Sequence, residues 1–115
     1  MPNRIRGEIS AQLDGRRWTL VLTLGALAEL ENAFDCKSLS ELLARFSADT
    51  LSAKDMVVIL GAGLRGAGHD VSDDQVAMMQ ATGGVAGFAA VTADLLSAAF
   101  GDPTPESEDN RQDND

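Results

Sequence analysis

The sequence predicts an α+β fold, with an N-terminal β-hairpin packed on about five α-helices and a disordered acidic tail at the C-terminal end. Three observations lead to this. Asp14-Gly15 lies between two runs in which apolar and polar residues alternate. Behind it, Thr23, Ser38, Ser52 and Ser72 each precede apolar residues recurring at helical spacing. After Gly101 the composition turns acidic and loses its apolar residues. A chain of 115 residues holds one domain, taken as residues 1–101, and the tail occupies 102–115. That length excludes a multi-domain enzyme.

The hairpin spans residues 4–22. Asp-Gly suits a two-residue type I′ turn because both positions need positive φ. That turn sets the register, with Leu13 opposite Arg16, Ala11 opposite Trp18, Ile9 opposite Leu20 and Gly7 opposite Leu22. Ile9, Ala11, Leu13, Trp18, Leu20 and Leu22 then share one face, while Arg6, Glu8, Ser10, Gln12, Arg17 and Thr19 share the other. A lone hairpin is marginal in water, so the apolar face must be covered.

The helices follow at about 24–35, 39–47, 53–65, 73–82 and 85–100. Thr23 caps the first, whose apolar positions are Leu24, Leu27, Leu30 and Phe34. Ser38 and Glu41 form a capping box ahead of Leu39, Leu42, Leu43 and Phe46. Ser52 with Asp55 starts the third helix, carrying Met56, Ile59, Leu60, Gly63 and Leu64. Ser72 and Gln75 box the fourth. In the fifth, Val85, Phe88, Val91, Leu95, Leu96 and Ala99 share a face, and Gly101 and Pro103 end it.

The net charge is −9, unevenly spread. Residues 102–115 hold six acids and one base, and residues 1–22 hold four arginines against two acids. So negative a field repels phosphate backbones, which argues against direct nucleic-acid binding. Cys36 has no partner for a disulfide, and with His69 the only histidine a Cys/His metal site is not expected. The first residues lack the apolar core of an export signal, and Val85–Phe100 is too short and too interrupted to span a bilayer. A cytoplasmic protein without membrane contact is expected.

Gly61-Ala62-Gly63-Leu64-Arg65-Gly66 spells GxGxxG after an apolar run. A dinucleotide site needs a helix starting there and an acid about 20 residues on to hold the ribose. The chain instead breaks at Gly68-His69-Asp70 and reads Val85-Ala86-Gly87 where the acid belongs. The glycines read better as helix-packing positions, and no cofactor is expected. His69 is placed as an exposed loop residue, and Asp73 and Asp74 as first-turn complements to a helix dipole. Glu29 and Glu31, two residues apart on a helix, do not face the same way. No catalytic set emerges, so no enzyme is expected. Ile9, Trp18, Leu20, Met78 and Met79 are the candidate protein-interaction residues, although Trp and Met at such spacing are more often core.

The order of features nevertheless has a counterpart. An Arg6-Gly7-Glu8 strand, the Asp14-Gly15 hairpin, Leu24-Gly25-Ala26-Leu27-Ala28-Glu29-Leu30-Glu31, Ser38–Phe46, Leu64-Arg65-Gly66-Ala67-Gly68 and a closing Val91–Phe100 helix follow one another. Over about residues 4–100 this resembles the gene transfer agent family of phage-tail-associated proteins. The resemblance implies a role in tail morphogenesis and no catalytic residues. It allows either a tail tube component or a tail assembly chaperone that binds the tape-measure protein. Two strands are little sheet for a tube wall, so the chaperone is the expectation, with a structural tube or connector component, or a generic interaction domain, as alternatives. Partners would be the tape-measure or other tail proteins, or further copies of the chain. The expected groove lies between the hairpin's apolar edge and the helices, with open strand edges available for pairing between copies.

Overall fold

The computed structural model describes residues 4–48 and 51–101. The acidic tail expected over 102–115 lies outside the described residues. A 3-10 turn over Arg4–Arg6 leads into β1 (Glu8–Leu13) and β2 (Arg16–Val21). Five helices follow: α1 (Leu24–Ala33), α2 (Leu39–Ala48), α3 (Ala53–Gly66), α4 (Asp73–Ala77) and α5 (Gly84–Phe100).

The strands pair antiparallel with the expected register, from Glu8 opposite Val21 to Leu13 opposite Arg16. Asp14 and Gly15 have φ of 54° and 73°, the doubly left-handed geometry that the Asp-Gly pair supplies at low cost. Residues 4–6 form the turn rather than extending the strand, so the hairpin is shorter than 4–22. Its apolar face is sealed: Ile9, Ala11, Leu13, Leu20 and Leu22 are buried together with Leu27, Leu30, Ile59, Leu60, Leu64 and Leu95. Burying each such aliphatic side chain contributes about 1.5–3 kcal/mol, offset by chain entropy.

α3 lies against the hairpin and α5 at once. A Cβ on Gly63 would sit 2.6 Å from Leu95 Cδ2 and 3.4 Å from Leu20 Cβ. One on Gly66 would sit 2.2 Å from the Val21 carbonyl oxygen. The GxGxxG glycines are therefore contact points where α3 meets its neighbours, all inside a helix and not at its start. α5 runs antiparallel along β1. Ala81 bridges to Leu13 just ahead of the helix, and near its far end the Ala98 carbonyl oxygen lies 3.5 Å from where a Gly7 Cβ would be. Thr92 is the one polar side chain in the described core, and its hydroxyl donates to Phe88 O at 2.8 Å, within its own helix.

Capping chemistry follows the sequence. Thr23 Oγ1 accepts from Ala26 N at 3.1 Å, and both reciprocal bonds of a capping box are present for Ser52 with Asp55 and for Ser72 with Gln75. At α2 the return bond shifts by one residue: Ser38 Oγ accepts from Glu41 N, while Glu41 Oε1 accepts from Lys37 N.

Several expectations need correction. α1 ends at Ala33 and not 35, because Asp35 turns left-handed at φ 55°. α4 stops at Ala77 and not 82. The following residues leave the helix to meet the hairpin turn, Asp14 N donating to Gln80 O at 2.8 Å and Gln80 N to Asp14 Oδ1 at 2.9 Å. Leu24 and Val85, assigned to core faces, sit in the first turns of their helices and point outward, as Leu39 and Leu43 partly do. Of the strand edges expected to be open, β1 is bridged to Ala81 at Leu13, and β2 has His69 Nε2 at Thr19 O and Gly66 beside Val21 O.

Candidate interaction surface

The hairpin's apolar face, beside which the groove was expected, is covered by helices among the described residues. An open apolar surface among the described residues lies between the N-terminal halves of α3 and α5, beside α4. Met56, Val57 and Leu60 from α3, Val76 and Met79 from α4 and its exit, and Phe88 from α5 line an apolar cleft of about 220 Å³. α4 is too short to reach across, and the departure of residues 78–82 toward the hairpin turn keeps the cleft open. Val85 forms its lip and is 76% exposed.

The other side of α4 is polar. Glu29 on α1, Arg65 on α3, Asp70 ahead of α4, and Asp73 and Asp74 in its first turn surround a shallow depression. Arg65 organises it. Its Nη1 donates to Val71 O and to Asp73 Oδ1, each at 3.0 Å, and its Nη2 donates to Glu29 Oε1. The bond from Glu29 raises the Arg65 pKa above its ordinary value, partial burial opposes this, and Asp73 adds to the rise. The guanidinium stays charged and ties α1, α3 and α4 together. Four carboxylates against one guanidinium leave the depression negative. α4 is thus a ridge with an apolar cleft on one side and acidic ground on the other.

The five candidate residues scatter. Ile9 and Leu20 lie in the core beneath the helices. Trp18 is half-buried, its Nε1 donating to Leu13 O at 3.0 Å with Arg16 stacked over its ring at 4.4 Å. Met79 lines the cleft, whereas Met78 is 81% exposed and not in the core. His69 is not the exposed loop residue expected. It is half-buried, its ring edge-on to Trp18 with centroids 4.9 Å apart and its Nε2 3.1 Å from Thr19 O. A carbonyl only accepts, so Nε2 carries the hydrogen in this contact. The role of Arg65 was not read from sequence, because its partners lie 36 and 8 residues away. Among the described residues no group of three or more His, Cys, Asp or Glu is placed to hold a metal, and no described helix is long and apolar enough to cross a membrane.

A family described as "Phage tail tube protein, GTA-gp10" matches residues 6–102. The match takes in both strands and all five helices. No curated protein and no solved structure is significantly similar to the chain.

Proposed function

Because the chain belongs to the GTA-gp10 phage tail tube protein family, we propose that it acts in tail morphogenesis as an assembly chaperone, holding the tape-measure protein before the tube forms around it. The observation that carries this reading is the open apolar cleft between α3, α4 and α5. A long helical scaffold exposes apolar stripes that aggregate when unpartnered, and a small helical domain with an apolar groove can cover them. A net charge of −9 would keep the resulting complex soluble. On this reading the protein works in the cytoplasm, where tails are built, and performs no chemistry.

The family description itself favours a second reading, a structural tube or connector component. A tube wall assembles through extensive sheet, and the described residues contribute a two-stranded one. That imbalance is why the chaperone is preferred.

Co-expression with the tape-measure protein of the same gene cluster, followed by size exclusion and mass determination, separates the two. A soluble complex with several copies of this chain per tape measure is expected. Absence of a complex, with the chain alone forming rings or tubes, would transfer it to the structural class.

A further inference from the structure

We propose that the apolar cleft and the acidic depression form one two-part seat for a cationic amphipathic helix, an inference that rests on the chaperone reading and specifies which partner segment is held. The cleft's volume, about 220 Å³, is below the ~300–1,000 Å³ of small-molecule sites. It suits a few apolar side chains projecting from one helix. Met56 and Met79 in its wall are flexible and polarisable, so residues of different shape fit there.

The acidic ground a few residues away supplies the second half of the recognition. Asp73 and Asp74 sit in the first turn of α4, where the helix dipole alone accounts for them. Glu29 and Asp70 lie outside α4 and have no such explanation. Arg65 engages Glu29 and Asp73. Among the described residues no cation pairs with Asp70 or Asp74. Both are exposed. A helix laid across α4, with apolar residues at i, i+3 or i+4 in the cleft, brings its flanking positions over these carboxylates. Lysine or arginine there meets complementary charge, and glutamate or aspartate meets repulsion.

The full chain should be titrated with three fluorescein-labelled 18-residue peptides, read by fluorescence anisotropy. One carries a leucine stripe flanked by lysine, a second replaces lysine with glutamate, and a third scrambles the stripe. The lysine peptide should bind at least about tenfold more tightly than the glutamate peptide in 50 mM salt, and the gap should shrink in 500 mM. Val85→Asp, at an exposed lip position and checked by thermal melting, should weaken binding about tenfold or more. The double variant Asp70→Asn/Asp74→Asn should weaken it about three- to tenfold in low salt only. Equal binding of lysine and glutamate peptides, or an unaffected double variant, overturns the seat. If the tape-measure protein co-purifies as well with Val85→Asp as with the parent, the seat is wrong while the chaperone reading stands. If it never co-purifies yet the lysine peptide binds as described, the chaperone reading fails and the seat stands.

Discussion

Gly66→Ala isolates a close helix-to-sheet approach. Gly66 ends α3, and a Cβ there would lie 2.2 Å from the Val21 carbonyl oxygen and 3.3 Å from its carbon. The first distance is more than an ångström short of ordinary contact. The obstacle is strand backbone, so no side-chain rotation relieves it and α3 must move off β2. Overpacking of this kind costs about 1–3 kcal/mol, and backbone contact argues for the upper part of that range. Against it stands the helix preference for alanine, about 1 kcal/mol mid-helix and less at a last turn. The net expectation is a loss of about 2 kcal/mol, equivalent to about 10 °C in melting temperature for a domain of this size. Gly25→Ala is the control, since the nearest atom to a Cβ there is Thr23 Oγ1 at 3.8 Å. It should leave the melting temperature unchanged or raise it by a few degrees. Thermal melts followed by far-UV circular dichroism measure both. Gly66→Ala melting at or above the parent would refute the claim that this glycine is held by a close approach.

Three further outcomes follow from the same contacts. Ser52→Ala removes the α3 capping box and should cost about 1 kcal/mol in urea unfolding, with the slope unchanged. Arg65→Met releases Glu29 and Asp73 and abandons Val71 O. Since those carboxylates are already part-exposed, the loss should stay near 1 kcal/mol, and a loss above about 3 would mean the cluster is more buried than described. His69→Ala opens one flank of the only tryptophan and should shift Trp18 emission to the red without unfolding the protein, which retained circular dichroism would verify.

What could be read in advance was local. Asp14-Gly15 and strict alternation fixed the hairpin register, because a one-residue slip would turn every apolar side chain outward. Ser52 and Ser72 marked helix starts for an equally local reason, as hydroxyls three residues from the donors they cap. The misreadings arose where distant chain segments decide. Met78 looks like a continuation of the α4 stripe, but the chain turns there to reach Asp14, 66 residues away from Gln80. His69 reads as solvent-facing in a Gly-rich loop until Thr19 and Trp18 are beside it. Leu24 and Val85 keep helical spacing, yet each falls in the first turn of its helix and stands exposed. The cleft escaped notice because it exists through the shortness of α4, and capping signals specify where a helix starts more sharply than where it stops.

The antiparallel run of α5 along β1 gives the molecule two unlike ends. Gly7 and Ala98 are neighbours at one, while the hairpin turn, Ala81 and the Val85 lip gather at the other. At 1.5 Å per residue, the 17 residues of α5 separate them by roughly 25 Å. Residue 4 and residue 101 both emerge at the end remote from the cleft. A fluorophore or surface tether attached at residue 4 or residue 101 itself would sit at the back of the domain. Pull-down and immobilisation experiments can therefore use either attachment point and still present the cleft outward.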